Sequence, residues 1–524
     1  MIKLLRTTSL AAFFFAASAF GDETAPMKVT LLGGDNPNDA STAPKGTDWN
    51  AWAWLRARGS AVSAFALDRT GTPNDLEKAL QTRLRVGGVY APAENFSITA
   101  ELDALSGQAA GLTNSLGTLH GTTGYAQREG ASLDPRSIDL RQAFVTWRTP
   151  IAELRAGRMS FRWGLGMVAN DGRGEPDFGD KRRGDIIDRV IFITKPFSRM
   201  SSDSWAQTTL FVGGDSIARD ENADARRGDV ALQGIAGFRW EGERASLGGL
   251  FAMRGQSDRV EPGEASRSAT VHAVMSDVTG KLVAWSGEQG EKLTLEGEGA
   301  MVRGNTTRPL FEATAANGAS IHTQGFIARA TYELPSSDLL VRGELGHASG
   351  DADPYDATVR SFSFDPDYRV GLLLFDPIVR RVLARSIERA SDPELVRVPQ
   401  AGLRFLDTQG AVTNATYGNL VVRWRPVSGL DVRAGLVVAR TAAGLVDPYE
   451  SASRGGYATD PSGRGAEPSA LGKELDGAVR YTLPIDGASV RILVDGAVLF
   501  PSRSLDVLAA STVRMARAGI DLWW

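Results

Sequence analysis

The stretch that decides the fold closes the chain: Thr512-Val513-Arg514-Met515-Ala516-Arg517-Ala518-Gly519-Ile520-Asp521-Leu522-Trp523-Trp524. Ala516, Ala518, Ile520, Leu522 and Trp524 fall on one face at a period of two, while Met515, Arg517, Gly519 and Asp521 fall on the other, as in a strand with two unlike sides. Two tryptophans at the end of such a strand suit a boundary between hydrocarbon and water. The indole ring is apolar, and its N–H still finds a polar partner there.

Working back from this segment, the same alternation recurs. Val490, Ile492, Val494, Val498 and Phe500 oppose Arg491 and Asp495. Leu430, Val432, Ala434, Leu436 and Val438 oppose Asp431 and Arg433, and Leu420, Val422 and Trp424 oppose Arg423 and Arg425. Each apolar face is long enough for a tilted crossing of about 9 to 11 residues. An arginine on the lipid side at mid-membrane would cost about 2 to 4 kcal/mol, so the charged faces are expected to point inward.

Bulk composition agrees. The chain of 524 residues is 42% hydrophobic and 23% charged, with 58 glycines and no cysteine, which excludes disulfides and cysteine-ligated metals. It opens with Met1-Ile2-Lys3-Leu4-Leu5-Arg6 and an apolar run from Leu10 to Ala19, followed by small residues, the pattern of a secretory signal. We expect a signal over 1–21, cleaved near Ala19 or Gly21, a periplasmic linker over 22–47, and a barrel over 48–524. No later stretch approaches the roughly 18 apolar residues of a helical span, so a crossing has to be made by a closed barrel, which leaves no backbone group unpaired in lipid. The net charge of −4 says little about partners, because a barrel sorts the two signs onto different walls.

Turn lengths give the order. Short connections fall at Thr149-Pro150, 241–243, 286–291, 335–337, 427–429 and 484–487, and long ones at 106–135, 304–318, 350–399 and 441–470. Tight turns at one end and long loops at the other characterise outer-membrane barrels. With both termini in the periplasm the strand number is even, and Arg189–Lys195 supplies the strand that parity demands. The fold class is therefore an all-β, antiparallel, transmembrane outer-membrane barrel of about 18 strands, within about 16 to 20. Glu394–Leu406 belongs either to the large loop or to an extra strand pair.

An interior lined by Arg83, Arg85, Arg342, Arg423, Arg425, Arg433 and Arg491 holds water or a tightly paired plug, since bare buried charge is costly. Glu296, Glu298, Glu333, Glu344 and Asp431 could neutralise some of these and stiffen the wall. Surplus arginines would instead concentrate anions in the channel. The segment Arg158–Asp188 is the most informative. Arg158, Arg162, Arg173, Arg182 and Arg183 interleave there with Asp171, Glu175, Asp177, Asp180, Asp185 and Asp188, and its glycines permit tight bends. It either folds inward to narrow the pore or stays in solvent. Its aspartates would suit a bound Ca²⁺, although their spacing matches no defined calcium loop, so the metal question stays open.

At R-A-G-R-M-S-F-R-W-G-L-G (Arg155–Gly166), G-E-L-G-H-A-S-G-D (Gly343–Asp351) and F-S-F-D-P-D-Y (Phe362–Tyr368) the chain resembles the outer-membrane alginate-export family. The resemblance implies a barrel of similar size whose arginine-rich lumen passes an acidic polysaccharide outward by diffusion, with Arg155, Arg158 and Arg162 at the constriction or lumen. Arg155 falls opposite Arg158 and Arg162 in the strand's alternation.

The expected function is a passive channel for small or anionic solutes in the outer membrane of a Gram-negative bacterium, extending in its specific form to polysaccharide export. Expected partners are outer-membrane lipid and those solutes, with no nucleic acid, since the arginines form no compact basic stripe. Oligomeric state stays open. Neither G-x-S-x-G nor H-E-x-x-H occurs, and no cofactor or catalytic residue is expected around His120, His272, His322 or His347. The alternatives are a closed structural or adhesion barrel with binding loops and, further off, a membrane enzyme. About 25 residues ahead of the first strand are too few for a TonB-type plug domain.

Overall fold

In a computed structural model, the chain is described over residues 49–74, 77–112, 138–181, 184–198, 203–259, 268–308, 318–354, 356–400, 402–485, 487–508 and 512–524. The expected signal, the linker over 22–47, Arg182 and Arg183 lie outside the described residues.

Alternating, β-branched and aromatic-rich segments form the expected strands. In chain order these are β1 (Trp49–Val62), β2 (Glu77–Ala93), β3 (Phe96–Leu112), β4 (Asp139–Arg148), β5 (Ala152–Met159), β6 (Ile186–Thr194), β7 (Thr208–Arg219), β8 (Val230–Glu241) and β9 (Ala245–Ser257). They continue with β10 (Thr270–Ser286), β11 (Lys292–Thr306), β12 (Ala319–Leu334), β13 (Leu339–Ala348), β14 (Ala415–Trp424), β15 (Leu430–Thr441), β16 (Ala470–Ile485), β17 (Ala488–Pro501) and β18 (Val513–Trp523). Each pairs antiparallel with its neighbour, and β1 closes the ring by pairing with both β18 (Trp54↔Trp523) and β2 (Trp54↔Arg85). The result is a closed antiparallel barrel of 18 strands. No described helix is long and apolar enough to cross a membrane.

The two walls differ residue by residue. On β17, Ile492 and Val494 are 50% and 56% exposed, whereas Leu493 and Asp495 are 0% and 1% exposed. The outer face carries Leu475, Val479, Leu345, Phe326, Val278 and Leu232, all exposed. At the rim with the short turns this face ends in aromatic rings: Trp49 tilted against Tyr90, Trp285 stacked on Tyr332, and Trp147, Trp424 and Trp524. That is the placement the closing segment of the sequence implied.

Connections at this rim are short apart from 195–207, which carries the helical turn Asp203–Ala206, and the other rim carries the longest ones. Glu394–Leu406 adds no strands. It lies in the connection 349–414, where Leu403–Leu406 form a 3-10 turn.

Candidate functional site in the barrel lumen

Two long connections do not stay outside. The first, 160–185, leaves β5 and turns at once into the barrel. The Trp163 indole donates to Asp277 on β10 at 2.6 Å, and the Leu165 and Met167 amides donate to Glu298 on β11. Arg173 reaches Glu101 on β3 at 2.5 Å. Glu175 meets Arg480 on β16 (2.9 Å) and Arg491 on β17 (2.5 Å), Asp177 meets Arg342 on β13, and Asp180 meets Arg56 (3.2 Å) and Arg58 (2.9 Å) on β1 and Arg517 (2.7 Å) on β18. A segment bonded to walls this far apart crosses the lumen.

Local sequence makes the path possible. Gly184 has φ +67°, and a Cβ there would lie 2.3 Å from the Asp171 carbonyl oxygen, so the segment's return toward β6 requires glycine. Burial alone would raise the Glu175 carboxyl, but Arg480, Arg491 and Arg433 overcome that and hold it below the ordinary range.

The second connection, 349–414, fills the long-loop end from inside. Phe362, Phe364, Tyr368, Leu373, Leu374, Ile378 and Val382 are buried against Tyr417, Val437, Leu471, Leu499 and Val513 of the wall. The Glu474 carboxylate on β16 accepts three successive backbone N–H groups, from Leu372 (2.5 Å), Leu373 (2.7 Å) and Leu374 (2.7 Å), which satisfies the start of the helical stretch that ends at Ala390. The two connections also hold each other. The Asp365 amide donates to the Met167 carbonyl, the Gly184 amide to Asp367, and Arg369 to the Asp180 carbonyl.

Between them and the wall lies a cavity of about 590 Å³ with apolar, cationic and acidic sides, represented by Phe364 and Leu445, by Arg254 and Arg308, and by Asp185, Glu221 and Asp365. Carboxylate oxygens of these last three lie within 4.8 Å of one another. Burial, reinforced by Asp220, pushes the Glu221 carboxyl up to about 7. Burial and neighbouring acids raise Asp185 and Asp365 as well. Of the aspartates in 171–188, only Asp185 joins this group, which is the one cluster among the described residues whose spacing would suit a metal ion.

The expected wall residues divide by position. Arg433 accompanies Asp431 (2.8 Å) and donates to the Pro176 and Asp177 carbonyls of the first infolded connection. Arg423 and Arg425 also face Asp431, toward the short-turn end. Glu344 accepts from Arg329 (2.8 Å) and from the Tyr417 hydroxyl (2.7 Å). Arg342, Arg173 and Arg491 reach into the lumen as described above. Arg158 does not. It shares the outward face of β5 with exposed Leu154 and pairs with Asp188 at 2.7 Å, itself on the face of exposed Val190 and Phe192. The strand ends at Met159, so an alternation carried from Arg158 to Arg162 runs past the strand's end. Arg155 is the inward one, beside Glu153 at 2.5 Å.

Arg162 stands apart. It makes no hydrogen bond or ion pair among the described residues, and its guanidinium and the Lys181 ammonium both approach Gly174. Burial and the adjacent Arg162 charge press the Lys181 ammonium down to about 8.

Arg58, Arg517, Arg189, Asp103 and Glu474 were not among the expected site residues. Their inward phase is visible in the alternation, but their partners are not: Asp180 for Arg58 and Arg517, the amides of 372–374 for Glu474, and the wall residues Asp215 and Arg85 for Arg189 and Asp103.

No protein-family model and no curated protein matches the chain, so the likeness to the alginate-export family rests on the three motifs alone. These motifs sit at the roots of both infolded connections and in the buried part of the second. Among solved structures the chain is similar to three Pseudomonas aeruginosa proteins. OccK8 (OprE) gives 10% identity, covering 91% of this chain and 98% of that one, with a TM-score of 0.49. OpdK, solved with vanillate, gives 12% identity over 91% and 98% with a TM-score of 0.47, and OccK11 (OpdR) gives 12% over 91% and 96% with 0.46.

Proposed function

We propose that the protein is a passive channel of the Gram-negative outer membrane for small anionic or polar solutes. The observation that carries this is Arg162, a cation on a segment crossing the lumen, unpaired and next to Lys181. Elsewhere on the same segment, Glu175 and Asp180 are shared among Arg56, Arg58, Arg433, Arg480, Arg491 and Arg517, of which Arg58, Arg433 and Arg517 also pair with the wall carboxylates Asp521, Asp431 and Asp495. An entering carboxylate would exchange one anionic partner for another along this wall, and the low-dielectric walls would focus the field of the surplus cations. In this reading the short-turn rim is periplasmic, residues 1–21 are the export signal and 22–47 the periplasmic linker. Arg342, Arg173, Arg423 and Arg425 line the path with Arg433 and Arg491, and Arg182 and Arg183 continue the loop. No catalytic role is assigned.

The apolar seating of 349–414 favours small solutes over a polymer, which would have to displace that cluster along its whole length. It also favours a second reading, a barrel closed by its own loops. Refolded protein in planar bilayers separates the two. Discrete conductance steps, reduced by millimolar organic monocarboxylate, support the channel. A correctly folded barrel that gives no steps supports the closed one.

A further inference from the structure

The outer wall has a charge asymmetry that transport through the lumen does not use. Lys78, Arg303, Arg440, Lys473 and Arg514 are all exposed, and each lies within three residues of the long-loop end of its strand. Each sits on the outward face. Arg303 alternates with Met301, Arg440 with Val438, Lys473 with Leu475, and Arg514 with Ala516 and Ile520. Among the described residues none of the five has a carboxylate partner.

Histidines extend the band. His322 stands opposite Arg303 in register and shares a hydrogen bond with it at 3.1 Å, and His272 is exposed on the adjacent strand. His347, Thr416 and Arg440 follow one another across three paired strands, with Lys473 one diagonal step further. Among the described strand residues the outward carboxylate is Asp188, already taken by Arg158. The opposite rim shows the same outward positions filled by Trp49, Tyr90, Trp147, Trp424, Tyr481 and Trp524.

Strands lie about 4.8 Å apart, so cations on neighbouring strands are within reach of one multiply charged headgroup. A lipid-facing cation is tolerated near the interface, and unpaired cations repel one another unless an anion lies between them. We propose that this band binds the phosphate groups of an anionic lipid in the leaflet at the long-loop side. Apolar Met301, Phe326 and Val438 just below it would seat the acyl chains, with Phe500 beside Lys473 in register. The inference rests on the outer-membrane reading for which leaflet that is.

The test uses the full mature chain refolded in neutral phosphatidylcholine vesicles. Bis-phosphorylated lipid A is titrated in, or inorganic phosphate at matched phosphate concentration, and the thermal unfolding midpoint is followed. We expect lipid A to raise the midpoint and inorganic phosphate to leave it unchanged. Arg303→Gln, Arg440→Gln, Lys473→Gln and Arg514→Gln combined should need at least about ten-fold more lipid A, because each surface cation contributes about a five-fold factor toward an anionic surface and the loss of two engaged cations already exceeds that. If that variant does not fold, the pair Arg440→Gln and Lys473→Gln is read the same way. Equal titrations for wild type and variant, or an equal response to inorganic phosphate, would overturn the proposal. Conductance is recorded on the same samples. A conducting protein without the lipid effect defeats this inference alone, and a lipid effect without conductance defeats the channel reading alone.

Discussion

The two infolded connections occupy one lumen by opposite means. Segment 160–185 buries Phe161, Trp163, Met167 and Phe178, but its crossing is held by charge, with Glu175, Asp177 and Asp180 shared among arginines of β1, β13, β15, β16, β17 and β18. Segment 349–414 is held by apolar burial, with Phe364, Leu373, Leu374 and Ile378 at 0% exposure, and by Glu474 capturing three amides. A charged dock exchanges with ions of the right sign, whereas an apolar dock does not. On the proposed channel reading, selection falls to the first segment and fixed shape to the second.

The largest expected effect tests the apolar dock. Phe364→Ala removes a ring packed edge-on to Phe362, Tyr368 and Tyr417, and should cost about 3 to 5 kcal/mol in denaturant unfolding of the detergent-solubilised barrel. A loss under about 1 kcal/mol would mean that the second segment is not a core at all. Next, Asp180→Ala strips a carboxylate shared by Arg56, Arg58 and Arg517 and should cost about 3 kcal/mol, since breaking a buried pair strands its partners. It should also raise chloride selectivity, which Phe364→Ala should leave alone. If both variants shift selectivity equally, the division of labour is wrong.

The phase of most wall residues was legible in the sequence because lipid and water impose a strict period of two. Arg433, Arg491 and Asp431 follow it. Arg158 keeps the period too, but on the outward face with Leu154, and the phase that tied it to Arg162 ends where the strand does, at Met159. Which loops enter the barrel was only half legible. The acidic and basic residues of 160–185 advertise partners, whereas Leu372–Leu374 and Phe362–Tyr368 read like any apolar stretch until Glu474 and the wall are placed around them. Contacts such as Asp180 with Arg517, 337 residues apart, leave no local mark in the chain.

A smaller effect concerns the acidic side of the cavity. The Glu221 carboxyl is raised to about 7 by burial and Asp220, so its contribution to stability is fully present below the ordinary carboxylate range and is lost as pH rises toward and through about 7. Glu221→Gln should flatten the fall in stability between pH 5 and 8, by roughly 2 to 3 kcal/mol. An unchanged pH profile would show that the cluster is already open to water.

The central claim is that an unpaired cation on the charged segment selects anions. Its most direct test is the reversal potential of single channels across a potassium chloride gradient, for wild type, Arg162→Ala and, as an outer-wall control, Arg158→Ala. We predict an anion-selective potential that moves toward zero with Arg162→Ala and stays put with Arg158→Ala. Cation selectivity in the wild type, or the same shift in both variants, would contradict the account.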